Sequence, residues 1–136
     1  MKIYIVDDSA LVRERLIAML SELAEVEIVG QAENPLVAVS AIQELRPDLV
    51  ILDISMPGGS GINALQTLKK TTPAPLIMML TNFSYSQYRK RCKTAGADFF
   101  LDKSNEFEEA IAILNQLLTR FGRSSSNKML PNKNGN

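Results

Sequence analysis

Apolar residues fall along this chain in two alternating rhythms. Short apolar runs occur at Ile3-Tyr4-Ile5-Val6, Leu49-Val50-Ile51-Leu52, Leu76-Ile77-Met78-Met79-Leu80 and Phe99-Phe100-Leu101. Unbroken runs of this length predict strands buried on both faces. Val26-Glu27-Ile28-Val29-Gly30 alternates only partly, as an edge strand does. Between these runs the apolar positions recur at helical spacing. The sets are Leu11, Val12, Leu16, Met19, Leu20 and Leu23, then Leu36, Val39, Ile42 and Leu45, then Ile62, Leu65 and Leu68, and last Phe107, Ile111, Leu114, Leu117 and Leu118. Each set predicts a helix with that stripe against the core. Local signals punctuate the pattern. Ser9 and Asn34-Pro35 mark helix starts, Ser84 caps a fourth helix, Pro47 stops the second, and Gly96 suits a left-handed helix end. Asn105 and Glu108 have the spacing of a capping box for the last helix.

Five strands alternating with five helices imply a parallel sheet covered on both faces. Right-handed crossovers restrict the topology to a doubly wound, flavodoxin-like three-layer sandwich with strand order 2-1-3-4-5. Ligands in such sheets bind beyond the carboxyl ends of the strands, at the switch point between strands 1 and 3. Residues 1–122 read as one domain. Residues 123–136 are rich in Ser, Asn and Lys, and predict a flexible polar tail or linker stump.

The polar residues at the predicted strand ends are chemically distinctive. Strand 1 ends at Asp7 and Asp8, strand 3 at Asp53, strand 4 at Thr81, and strand 5 just before Lys103. Asp53 opens a Pro- and Gly-rich stretch, residues 54–61, predicted to be a loop. Three carboxylates that close repel one another unless protonated or neutralised. Oxygen-only ligation of this kind suits Mg²⁺. Lys103 supplies a mobile cation and Thr81 a neutral donor, so the set favours phosphoryl chemistry with Asp53 as nucleophile. Singly, each has a plainer reading as a turn, cap or solvated residue; the conjunction on one rim is what points to chemistry.

Composition narrows the classes. The chain of 136 residues is formally neutral and contains no histidine and one cysteine. A Ser-His-Asp or Cys-His site is therefore excluded, as is a His-rich zinc site. Neutral charge argues against direct nucleic-acid binding, which calls for a basic stripe. Cys92 cannot form an internal disulfide, which suits a reducing cytoplasm, and an inert packed thiol is its expected role. No long apolar run and no signal-peptide pattern occurs, so no membrane association is expected and the chain reads as cytoplasmic. The fourth helix gathers Tyr85, Tyr88, Arg89, Lys90, Arg91 and Lys93 into a basic face.

Val6-Asp7-Asp8-Ser9, Leu52-Asp53-Ile54-Ser55-Met56-Pro57-Gly58, Ser60-Gly61, Leu80-Thr81, Gly96-Ala97-Asp98 and Leu101-Asp102-Lys103 resemble, in order, the receiver domain of bacterial two-component response regulators. The likeness spans about residues 2–121. It implies that Asp53 is an aspartyl phosphate acceptor, and that Asp8, Asp53 and the Ser55 carbonyl ligate Mg²⁺, with Asp7 acting mainly through water. It implies that Lys103 pairs with the phosphoryl oxygens, that Thr81 moves to hydrogen-bond them, and that Phe100 is an aromatic switch. The phosphodonor would be a sensor histidine kinase or a phosphotransfer protein. The output would be a downstream protein or domain reading the face of helix 4, strand 5 and helix 5, with homodimerisation on phosphorylation. The chain would be a phosphoacceptor that assists its own chemistry, not an enzyme. Two departures stand out: Asn82 follows Thr81, where a smaller residue is usual, and Ser104 follows Lys103, where a cis proline is common. A trans bond is expected at Lys103-Ser104. Alternatives from other classes are a receiver-like adaptor working without phosphate and an Asp-nucleophile phosphatase. Against the latter, the first strand ends in Asp-Asp-Ser rather than Asp-x-Asp, and no segment is long enough for a cap domain.

Overall fold

The computed structural model describes residues 1–56, 59–82 and 86–129. Its elements run β1 (Lys2–Val6), α1 (Ala10–Leu20), β2 (Glu27–Ala32), α2 (Pro35–Leu45), β3 (Leu49–Leu52), α3 (Gly61–Lys69), β4 (Leu76–Thr81), α4 (Ser86–Thr94), β5 (Phe99–Asp102) and α5 (Glu109–Met129). The five strands form one parallel sheet in the order β2-β1-β3-β4-β5. The flavodoxin-like arrangement expected from the alternating pattern is the one observed.

Two apolar layers hold the sheet. One contains Ala38 and Ile42 of α2, Ile62, Leu65 and Leu68 of α3, and Cys92 of α4 against Tyr4, Val6, Val50 and Leu52. The other contains Leu16 and Leu20 of α1, together with Phe107, Ala110 and Leu114 at α5, against Ile3, Ile5, Leu49 and Ile51. All four residues of β3 are buried. At about 1.5–3 kcal/mol per buried aliphatic side chain, this strand is a rigid base for whatever follows it.

The caps of α1 and α2 behave as the sequence predicts. Ser9 Oγ accepts from Val12 N at 3.2 Å and Asn34 Oδ1 from Val37 N at 3.0 Å. At the end of α4, Gly96 has φ +105°, and the Ala97 N–H donates to the Cys92 carbonyl at 2.9 Å. This closes the helix in the left-handed manner that glycine permits. The Ser84 cap lies outside the described residues.

Four expectations need correction. Leu36, Val39, Ile42 and Leu45 do not form the buried stripe of α2: Leu36 is 75% and Leu45 41% exposed, while Pro35, Ala38 and Ile42 are buried. This helix is apolar around most of its circumference, so periodicity cannot choose its inner face. Leu11 is likewise 74% exposed, at the first turn of α1. Residues 55–60 are not wholly irregular, because Ser55–Met56 and Gly59–Ser60 pair as a short antiparallel hairpin. The last helix starts at Glu109, four residues beyond Asn105, because residues 102–106 close into a separate turn.

Cys92 is fully buried, and burial pushes its thiol up to about 11. A raised folded value means that the neutral thiol favours the fold at neutral pH. That contribution is lost as pH climbs past the ordinary thiol value of 9.0 towards about 11. Labelling of Cys92 by a thiol reagent at pH 8 is expected to be slower than in urea-unfolded chain by roughly a hundredfold or more. Comparable rates in the two states, followed by absorbance, would show that the α4 layer opens readily.

Candidate functional site

Register brings the polar strand ends together. Val6 pairs with Leu52 and Leu52 with Met79, so β1 and β3 end level with each other. The next residues are Asp7 and Asp53. The Asp7 N–H donates to the Ala32 carbonyl and the Asp53 N–H to the Val6 carbonyl, each at 3.0 Å. Thr81 pairs with Asp102 at the ends of β4 and β5, and the Lys103 N–H donates to the Thr81 carbonyl at 2.9 Å. Asp7, Asp53 and Lys103 thus stand one position beyond a strand and Asp8 two, while Thr81 is the last residue of its own.

Lys103 joins the cluster. Its Nζ lies 2.6 Å from Asp7 Oδ2 and 3.1 Å from Asp53 Oδ2. The second oxygen of each carboxylate is also held: Asp7 Oδ1 accepts from Ser9 N at 2.9 Å, and Asp53 Oδ1 from Ile54 N at 2.7 Å. Asp7, Asp53 and Thr81 are buried, whereas Asp8 is exposed. Burial raises the Asp7 carboxyl above the ordinary aspartate value and outweighs the opposing pull of Lys103 and the Ser9 N–H. Burial alone would lower Lys103; its hydrogen bond to Asp7 and the charges of Asp53 and Asp7 outweigh that and raise it.

Ligand oxygens of Asp7, Asp8 and Asp53 lie within 4.8 Å of one another. An oxygen-only, carboxylate-rich donor set with one exposed member fits a hard divalent ion such as Mg²⁺, which retains several waters. Ser55, whose carbonyl the family resemblance adds to this set, opens the short hairpin two residues after Asp53. A cavity of about 470 Å³ lies at the other end of the sheet, lined in part by Arg46, Asp48, Pro73 and Leu76. It is remote from these carboxylates.

Phe99 and Phe100 occupy opposite faces of β5. Phe99 packs on the α1–α5 layer and Phe100 on the α2–α4 layer. The Phe100 ring is half-buried beneath Arg89, whose guanidinium carbon sits 4.6 Å from the ring centroid. The two departures from the family pattern meet across the rim: Ser104 Oγ donates to Asn82 Oδ1 at 3.5 Å. The Lys103-Ser104 bond is trans, since the cis bond among the described residues is Thr72-Pro73.

Two contributors were not assigned from sequence. Arg13 reads as an outward residue of α1, yet its Nη1 donates to the Asp7 carbonyl at 2.6 Å and its Nε to Gln31 Oε1 at 2.7 Å. Gly61 is the other. A Cβ there would overlap the Asp53 carbonyl, and the Gly61 N–H donates to the Ile54 carbonyl at 2.6 Å. Only a residue without a side chain lets α3 start this close to the Asp53 backbone. Its sequence signal was Ser60-Gly61 at a helix start, where Ser60 caps and Gly has no evident propensity reason to follow. Gly61→Ala is expected to destabilise the fold by about 2–3 kcal/mol, because the overlapping atom is backbone and cannot turn away. A urea titration checks this; a midpoint unchanged from wild type would mean the α3 entry shifts freely.

Comparison with known proteins finds relatives of the same fold. A family model described as the response regulator receiver domain matches residues 3–115. A protein-glutamate methylesterase/protein-glutamine glutaminase of Methanococcoides burtonii is 33% identical over 121 residues, covering 88% of this chain and 34% of the relative. A second protein of that description, from Carboxydothermus hydrogenoformans, is 36% identical and covers 85% of this chain and 34% of the relative. The chain thus spans about a third of the length of these curated relatives. Among solved structures, the response regulator domain of Thermotoga maritima CheB superposes with a TM-score of 0.78 at 27% identity, covering 88% of this chain and 94% of that one. The signal receiver domain of the putative regulator NarL from Mycobacterium tuberculosis superposes at 0.76 and 26%, covering 84% and 93%.

Proposed function

The chain belongs to the response regulator receiver domain family, and from that premise we propose that it is a phosphorylation switch whose acceptor is Asp53. The observation that carries this reading is the placement of Asp53. One of its oxygens is tied to the Ile54 N–H and the other to Lys103 Nζ, at the end of a fully buried strand. Two further carboxylates stand beside it. A carboxylate held this way is oriented for attack on phosphorus.

In the proposed step an Asp53 carboxylate oxygen forms a bond to phosphorus. The phosphorus–nitrogen bond of a phosphohistidine breaks at the same time, and the imidazole leaves as the neutral base after taking a proton from solvent. The donor is a sensor histidine kinase or a phosphotransfer protein; a small acyl phosphate serves in vitro. Asp8, Asp53 and the Ser55 carbonyl would hold Mg²⁺, with Asp7 acting through water, and the ion would neutralise charge on the phosphoryl oxygens. Lys103, already against Asp53, transfers its ion pair to those oxygens. Thr81 then donates to the phosphoryl group, and Phe100 turns towards the space behind it. The surface of α4, β5 and α5 changes as a result and is read by a partner or a second copy.

Incubation with acetyl phosphate and Mg²⁺, followed by intact mass, tests the assignment. One phosphoryl group should be added and then lost slowly as the acyl phosphate hydrolyses. No addition in the presence of Mg²⁺ would reject the reading in favour of a phosphate-independent adaptor. The methylesterase relatives favour such an enzyme as the regulated target. The ester-hydrolysing activity in their name is not assigned to this chain, which has no histidine for a Ser-His-Asp site.

A further inference from the structure

We propose that Glu106 is a positioning residue for Lys103, fixing the turn from which the lysine reaches Asp53; this rests on the phosphoacceptor reading above. Lys103 has a flexible four-carbon stem, so the placement of its ammonium depends on how firmly its backbone is held. Ser104, which follows it, does not fix the backbone dihedrals there as a proline would. The turn is held instead by hydrogen bonds. The Glu106 N–H donates to the Asp102 carbonyl at 2.7 Å, and Glu106 Oε1 accepts from the Asp102 N–H at 2.9 Å. Glu106 thereby grips both backbone polar groups of the residue before Lys103. Asp102 Oδ1 in turn accepts from the Ser104 N–H at 2.8 Å, closing the far side of the lysine.

The same Glu106 oxygen reaches a second element. It lies 3.9 Å from Arg89 Nη2 of α4, while Arg89 Nη1 donates to the Phe100 carbonyl at 3.2 Å and the guanidinium covers the Phe100 ring. One carboxylate therefore links the Lys103 turn to α4, and Arg89 carries that link to the aromatic residue proposed to move. If Glu106 served only to start α5, its removal would cost stability and nothing else. If it positions Lys103, its removal slows phosphoryl transfer within the folded protein, because small misplacements of a charge-stabilising group are costly.

Glu106→Ala and Glu106→Gln in the full chain separate these roles. Gln retains an oxygen acceptor for the Asp102 N–H but not the charge facing Arg89. Initial rates are measured over a series of acetyl phosphate concentrations at saturating Mg²⁺, alongside melting temperature and amide exchange at Asp102 and Lys103. The maximal rate of Glu106→Ala should fall by roughly ten- to a hundredfold, with the half-saturating concentration nearly unchanged. Glu106→Gln should stay within about twofold of wild type. The Asp102 amide should exchange faster in the alanine variant only. A wild-type rate in Glu106→Ala, a loss that merely follows the folded fraction, or a glutamine variant as slow as the alanine one would overturn the proposal. Failure of the wild-type chain itself to take up phosphate would count against the phosphoacceptor reading. The exchange data would then decide whether Glu106 fixes the turn, and unchanged exchange in Glu106→Ala would refute it.

Discussion

Asp53→Asn should abolish Mg²⁺-dependent uptake of phosphate while leaving the fold intact or firmer. The amide is nearly isosteric and keeps an oxygen to accept from the Ile54 N–H, as Asp53 Oδ1 does at 2.7 Å. It lacks the anionic oxygen that would attack phosphorus. Removing the charge also relieves Asp7, whose carboxyl is pushed up in part by Asp53 after the larger effect of burial. Melting temperature should therefore hold or rise as activity disappears, which separates chemistry from folding. Intact mass after incubation with acetyl phosphate is the measurement. Wild-type phosphate incorporation in this variant would move the acceptor elsewhere, with Asp7 and Asp8 the next carboxylates to test.

Lys103→Met should affect both stability and chemistry. The ammonium lies within 3.1 Å of two buried carboxylates, and its side chain is only 10% exposed. Methionine keeps much of the volume but leaves Asp7 and Asp53 facing each other uncompensated. Breaking a buried pair from one side costs about 3 kcal/mol or more. Loss of a charge-stabilising donor at the phosphoryl group should slow transfer by roughly 10²–10³-fold.

The pH dependence of that destabilisation has a definite sign. Without Lys103, the Asp7 carboxyl should rise further above the ordinary aspartate value, since Lys103 now opposes its upward shift. A raised folded value means that stability is retained below the ordinary aspartate range and lost as pH climbs through the folded value. The deficit of Lys103→Met should therefore be small in acid and grow towards neutrality. Mg²⁺ should restore part of it by compensating the same carboxylates. In the wild type, the raised Lys103 contributes stability that is complete below the ordinary lysine value and declines only at more alkaline pH. Urea titrations at several pH values, with and without Mg²⁺, measure both trends. A deficit independent of pH would show that Lys103 acts through packing instead.

Much of this protein could be read without coordinates. Continuous apolar runs such as Leu49–Leu52 allow one placement, buried on both faces, and their alternation with helical stripes leaves few parallel topologies. Once the topology is set, Asp7, Asp8, Asp53, Thr81 and Lys103 must share a rim, because each lies at, or within two residues of, the carboxyl end of a strand in the same parallel sheet. Linear order alone therefore determined the fold and which polar residues stand at the strand ends. It could not turn α2, where Leu36 and Leu45 are exposed and Pro35, Ala38 and Ile42 are buried; a helix apolar on most sides carries no phase. Nor could it reveal contacts made by residues distant in sequence. That Lys103 bridges Asp7 and Asp53, that Gly61 must lack a side chain because the Asp53 backbone lies against it, and that Glu106 grips Asp102 while facing Arg89 were decided by tertiary packing. Spacing along a chain encodes which face of an element is apolar; only the assembled elements set the distances between groups carried on different ones.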